Sequence, residues 1–179
     1  MIKINLPQDK EKFKMLKAGQ EVLLSGTVYS LRDKAHAKIV SHGQTPPFLK
    51  GAVIYYMGPT PARPGRPCGS CGPTTSARMD KYTPTLIKKT SIIGIIGKGE
   101  RNEAANKSMK GRSVYFLAYA GLGALCAKSV LKSEAVLYKE LGAEAVFKLE
   151  VKDFPLIVAD DCYGEDIFSK GRAEYCAAD

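Results

Sequence analysis

The stretch Ala52-Val53-Ile54-Tyr55-Tyr56-Met57, followed by Gly58-Pro59-Thr60-Pro61-Ala62-Arg63-Pro64-Gly65-Arg66-Pro67-Cys68-Gly69-Ser70-Cys71-Gly72-Pro73 and then Thr74-Thr75-Ser76-Ala77-Arg78-Met79, decides the fold. Its first six residues are β-prone and read as a buried strand. Glycine and proline then dominate up to Pro73, which excludes a helix or a central strand there. At Thr74 the chemistry changes. Three hydroxyl residues in a row are good N-caps, so a helix is predicted from Thr75. Free backbone N–H groups, the positive end of the helix dipole, the hydroxyls and Arg78 would together receive an anionic oxygen. Loops beyond roughly 12–15 residues inside a compact domain are usually functional or disordered, and one that ends in a capped helix reads as a site.

Outward from this stretch, strand and helix alternate. Ile2, Ile4 and Leu6 predict a short opening strand, and Asp9 to Lys17 a helix with Phe13 and Leu16 inward. Glu21 to Tyr29 is a strong strand, bulged or closely approached at Gly26. A helix from Lys34 to His42 has Asp33 as its N-cap and Gly43 beyond its end, and a turn follows from Gln44 to Lys50. Pro84 interrupts the helix that begins at Thr75 and restarts it toward Lys89. Further strands are predicted at 91–96, 114–119, 135–138, 145–151 and 155–159, with helices at 100–109 and 121–128. This pattern argues for one α/β domain over residues 1–168 with a mixed, partly parallel sheet and flanking helices, then a polar, fraying tail over 169–179.

The chain has 179 residues, an apolar fraction of 45%, a charged fraction of 25% and a net charge of +9. These values suit a globular domain with a real core. No stretch is apolar for long enough to span a membrane, and Met1 to Leu6 lacks a signal core, so a cytoplasmic location is expected. The positive residues are scattered, and no RNA-binding aromatic motif or zinc-finger spacing accompanies them. Nucleic acid is therefore not the expected partner, although an anion- or nucleic-acid-binding module is the alternative reading of the charge. The five cysteines, Cys68, Cys71, Cys126, Cys162 and Cys176, do not suggest a disulfide framework. Cys68-Gly-Ser-Cys71 has C-x-x-C spacing, which fits redox or metal chemistry, but no second pair completes a zinc site. Cys126 reads as packing.

Three segments share one grammar: a strand, a polar loop and a helix start, with a cation at or near that start. The cations are Arg32, Arg78 and Lys98. In open α/β sheets such loops lie at the carboxyl ends of strands, where ligands bind. Two guanidinium groups and one ammonium on one crevice would hold a dicarboxylate or a phosphate. Neither a Walker loop nor G-x-G-x-x-G is present.

At this point the residues resemble a known family. Leu24 to Tyr29 with Arg32-Asp33-Lys34-Ala35-His36, Lys50 to Tyr56, Gly58-Pro59-Thr60-Pro61, Gly72 to Asp80, Ile96-Gly97-Lys98-Gly99 and Asp153-Phe154-Pro155 look like the iron–sulfur-dependent class I fumarases and tartrate dehydratases. The chain is most similar to the separate β subunit, equivalent to the C-terminal domain of single-chain forms. The resemblance implies a swivelling β/β/α domain similar to the mobile domain of aconitase. It implies reversible hydration of fumarate to malate, or dehydration of tartrate, with an α subunit whose cysteines ligate a [4Fe-4S] cluster. No metal ligand is expected in this chain. Two α and two β chains, or a dimerised β, would fit. Arg32, Arg78 and Lys98 would hold the substrate carboxylates, together with Thr75 and Ser76. Thr74 would face the carbon that exchanges a proton, as base or as positioning group, with Lys98 supplying the field. His36 is a further candidate for the crevice.

Overall fold

The computed structural model describes residues 1–42 and 45–176. The expected C′ residue Gly43, the first residue of the turn that follows it, and the end of the tail lie outside these. Strands β1 (Ile2–Asn5), β2 (Glu21–Ser30), β3 (Val53–Tyr55), β4 (Gly94–Gly97) and β5 (Val114–Leu117) pair in parallel, each with the next. β6 (Val130–Leu137) and β7 (Val146–Asp160) form an antiparallel pair. The sheet order is β1-β2-β3-β4-β5-β7-β6, and β7 also pairs with β2, antiparallel. The strands β2, β3, β4, β5 and β7 thus close into a barrel-like ring. Closure removes the exposed edges that an open sheet would leave.

Strand polarity explains why the ring is filled inside and covered outside. Val53, Tyr55, Ile96, Val114 and Phe116 point inward, joined by Val28, Leu149 and Val158. Their neighbours Ile54, Tyr56, Ile95 and Tyr115 point outward against Ala35, Ile39, Leu86, Ile87 and Met109. Those last five come from the helices α1 (Asp33–Ser41), α2 (Thr83–Thr90) and α3 (Glu103–Met109). Strands buried on both faces read as unbroken apolar runs, which is why 52–57 and 91–96 were so legible. α4 (Gly123–Lys128) precedes β6, and α5 (Ile167–Tyr175) follows β7.

Several expectations change. Residues Lys10–Met15 form a 3-10 helix and not an α-helix, with Phe13 its one buried side chain. No α-helix starts at Thr75. Ser76–Met79 is a four-residue 3-10 turn, and Thr75 makes no side-chain cap bond. Pro84 does not interrupt a helix but sits in the first turn of α2, where its missing N–H costs nothing. Asp33 is not the cap of α1; Arg32 holds that position in extended backbone. The two strands expected at 145–151 and 155–159 are one, β7, which passes through Asp153 at φ 47°. At Gly26, as expected, the β2–β7 register shifts, and the glycine takes φ 114°. β6 is longer than predicted because its polar, half-exposed face hid its first half. Ser169 does not open a frayed tail: α5 runs through it, capped by Asp166.

Candidate active site

β2, β3 and β4 are parallel, so their carboxyl ends open on one side of the ring. Each end delivers part of the Gly72–Lys98 constellation. After β3 the chain leaves on its long loop and returns so that the Thr74 N–H donates to the Tyr56 carbonyl at 2.6 Å. Thr75 then forms an isolated parallel bridge with Lys98, and the Ser76 N–H donates to the Lys98 carbonyl at 2.9 Å. The three hydroxyl residues are therefore a short extended segment laid across the ends of β3 and β4. No helix dipole of useful length stands there, which corrects the expected source of the positive field. The field comes from side chains.

Arg78 follows on the 3-10 turn and reaches α1, where its Nε and Nη2 meet the Asp33 carboxylate at 3.1 and 2.9 Å. Arg32, one residue before, lies with its guanidinium against Gly58, the first residue of the long loop, and 3.8 Å from Glu144. The Arg32 Nε is buried and has no hydrogen-bond partner among the described residues. A guanidinium with a free buried N–H is prepared for an acceptor. Lys98 and Thr74 are half-buried, and Thr75 and Arg78 are exposed. The fold thus links Thr74, Thr75 and Lys98 directly through the backbone, and links Arg78 to the Arg32–Asp33 corner. Among the described residues, no acidic side chain pairs with Lys98.

Ser76 differs from its expected role. Its side chain is fully buried, and its hydroxyl hydrogen-bonds with Tyr115 Oη at 2.8 Å. Tyr115 also donates to the Gly99 carbonyl at 2.7 Å, on the far side of Lys98. A side chain at Gly97 would occupy the space of the Ser76 hydroxyl, so only glycine lets the segment close on β4. Buried and bonded to Tyr115, Ser76 locks the segment in place. Burial keeps the Tyr115 phenol protonated, with its pKa raised, which preserves it as a donor.

Sequence reasoning missed the layer beneath. Asp80 and Arg101 form an ion pair at 2.5 Å with both side chains buried. Arg101 also donates to Thr83 Oγ1 at 2.7 Å and lies over the rings of Tyr56 and Tyr115. The other Asp80 oxygen accepts from the Asn102 N–H at 2.7 Å. This pair fastens the 3-10 turn carrying Arg78 to the loop that follows Lys98. Asp80 was visible in the motif, but nothing in the sequence separates Arg101 from the exposed arginines. His36, the further candidate for the crevice, sits in the same buried layer. It is fully buried between Tyr56 and Tyr82, with Nδ1 2.9 Å from the Arg32 carbonyl. Burial pushes its pKa down to about 4, so it is neutral and supports the Arg32 backbone from within.

Among the described residues, no group of three or more His, Cys, Asp or Glu side chains could hold a metal ion. Among the same residues, no helix is long and apolar enough to cross a membrane.

The Fumarase C-terminus family model matches residues 1–171. The chain belongs to that family. Within it, the chain is 40% identical over 171 residues to a Methanocaldococcus jannaschii protein provisionally named L(+)-tartrate dehydratase subunit beta, covering 90% of this chain and 88% of that one. It is 36% identical over 160 residues to the "Fumarate hydratase class I, anaerobic" of Escherichia coli K12, covering 86% of this chain and 29% of the relative. With the Leishmania major "Fumarate hydratase 2" it shares 36% identity over 182 residues, or 96% of this chain and 32% of the relative. This Fumarase C-terminus chain thus spans about a third of the fumarate hydratases it matches, and nearly all of the named β subunit.

Proposed function

We propose that this chain is the β subunit of a two-subunit hydro-lyase that adds water to, or removes it from, a small dicarboxylate such as fumarate, malate or tartrate. The observation that carries the reading is the bridge of Thr75 to Lys98, which sets hydroxyls and an ammonium side by side at the strand ends. The link from Arg78 to the Arg32–Asp33 corner supports it. In this reading Arg32, Arg78 and Lys98 bind the two carboxylates. Forks of N–H donors suit that task, and lysine adds a point charge. Thr75 contributes its exposed hydroxyl.

Removal of the proton beside a carboxylate loads negative charge onto that carboxylate. Cations aimed there stabilise the transition state more than the bound substrate, and so raise the rate. Thr74 faces the reacting carbon. Its hydroxyl is a weak base unless a nearby cation stabilises the alkoxide, and Lys98 is the cation that the fold places beside the segment. Positioning of the substrate is the contribution we assign to it first.

None of the described residues group into a metal centre, and in this reading a [4Fe-4S] cluster would be ligated by the α partner. There it would supply a Lewis acid toward the hydroxyl group. The exposed clamp then has a simple logic: the partner closes the site and excludes water. A swivelling domain of the aconitase mobile type suits such closure, and an assembly of two α and two β chains is its natural form.

The test is co-expression with a cysteine-bearing partner, anaerobic purification, and assay with fumarate and with L(+)-tartrate. Turnover of one of them that requires both chains is the expected result. A complex with an intact cluster that turns over neither would refute the reading, and would leave the anion-binding module in its place.

A further inference from the structure

Cys68 and Cys71 lie in the second half of the long loop, and the proposed hydro-lyase chemistry uses neither. Their turn is fastened at almost every residue. Thr60 N–H donates to the Ser70 carbonyl at 2.9 Å, and Gly69 N–H to the Thr60 carbonyl at 3.1 Å. Ser70 N–H donates to Thr60 Oγ1 at 2.8 Å. Cys71 N–H donates to the Gly123 carbonyl at 3.1 Å, and Tyr55 Oη donates to the Cys71 carbonyl at 2.6 Å. The frame holds the two thiols as side-chain neighbours in one buried turn. Both are free, so the pair is a dithiol.

The two sulfurs are not equivalent. Cys71 is fully buried, whereas Cys68 is 7% exposed and lines two cavities, of 450 and 280 Å³. Arg63, Arg66 and Lys128 line the larger one with it. The hydrogen bond from Cys71 draws the Cys68 pKa down, while that same bond and burial push Cys71 up. An accessible, more acidic thiol beside a buried partner is the arrangement that disulfide exchange needs.

We propose that Cys68 and Cys71 form a reversible dithiol–disulfide centre that exchanges with a small anionic disulfide seated against Arg63, Arg66 and Lys128. The Cys68 thiolate attacks one sulfur of the incoming disulfide, forms a mixed disulfide and expels one thiolate. The Cys71 sulfur then attacks Cys68, closes the Cys68–Cys71 bond and expels the second thiolate. The two protons lost by the cysteines end on the two released thiols. The protein is oxidised by two electrons, and the incoming disulfide is reduced by two. The two cysteines share one turn that is tied by backbone hydrogen bonds, so closure needs no large backbone movement.

Oxidised glutathione is the probe. The full-length chain is equilibrated in glutathione redox buffers, its free thiols are alkylated, and peptides are mapped by mass spectrometry. The expected product is an internal Cys68–Cys71 link that is reversed by reduced glutathione. Cys71→Ser should accumulate one glutathione on Cys68, and Cys68→Ser should leave Cys71 unmodified. Should a serine variant fail to fold, the wild-type peptide map still decides the question. Labelling of exposed Cys176 while Cys68 and Cys71 both remain alkylatable would overturn the proposal, as would a Cys68–Cys126 link. Changing Arg63 and Arg66 together to Glu should slow exchange with oxidised glutathione about tenfold. Exchange with the uncharged hydroxyethyl disulfide should be unaffected. Equal rates of the variant and the wild type with oxidised glutathione would overturn the anionic seat.

Discussion

Arg78–Asp33 and Arg101–Asp80 are the same pair of side chains in two settings, a short stretch of chain apart. The first holds its partners at 51% and 28% side-chain exposure, the second at 0% and 2%. An exposed pair contributes little to stability, because water and salt compete for both charges. It can therefore be exchanged: under the proposed function, a substrate carboxylate takes the place of Asp33 on Arg78. A buried pair cannot be exchanged. Removal of one member leaves the other charged, dry and alone. The fold thus keeps one arginine available and uses the other to anchor the turn that presents it.

This contrast can be broken by experiment. Arg78→Ala in the reconstituted complex should lower kcat/KM by about a thousandfold with little change in unfolding midpoint, as expected for a group used in the transition state. Normal turnover would remove Arg78 from the site. Arg101→Ala should do the reverse in kind, with a loss of about 3–5 kcal/mol in denaturant unfolding of the isolated chain. A loss below about 1 kcal/mol would show that the buried pair anchors nothing.

The layer around the buried pair also predicts a pH effect. The pKa of His36 is about 4 in the folded protein, below its ordinary 6.5, so the unfolded chain binds its proton first as pH falls. Its contribution is complete above pH 6.5 and is lost between there and pH 4, on the order of 3 kcal/mol in all. Asp160 works against it. Burial raises the Asp160 pKa to about 7, so its contribution is lost as pH rises from about 4 to 7. The whole-protein curve mixes the two, and the difference between wild type and His36→Phe isolates the histidine. That difference should change steadily between pH 6.5 and 4; a flat difference would mean that His36 is not held neutral.

Smaller effects sharpen the comparison. Tyr115→Phe removes the hydroxyl that bonds both Ser76 and the Gly99 carbonyl, and should cost about 1–2 kcal/mol in unfolding. If Tyr115 also positions the Thr74 segment, kcat in the complex falls with it. Asp33→Ala should change stability by less than about 1 kcal/mol. A larger loss would place Asp33 with the structural pair and not with the exchangeable one.

The strands buried on both faces, β3, β4 and β5, were legible because their apolar runs leave no alternative. The alternation of β1 with Phe13 inward was legible for a similar reason. β6 was half hidden, since an edge strand with a wet face has a weak pattern. The break assumed within β7 failed because Asp153 and Pro155 look like a turn, while a long antiparallel strand absorbs the bend. At the site, the Thr74 block, Arg32, Arg78 and Lys98 could be singled out by their place after strands. The expected helix at Thr75 and the expected substrate contact of Ser76 could not be read that way. A hydroxyl that can cap a helix can equally be taken by Tyr115, and only packing decides between them.

Local sequence determined which segments are strands, where the chain must loop, and which cations stand at loop ends, because these depend on near neighbours along the chain. The tertiary structure decided how β7 closes the ring, which arginine is dry, and that Thr75 lies beside Lys98. Those outcomes depend on burial and on partners far away in the chain, and desolvation gives one residue type opposite uses according to where the fold puts it.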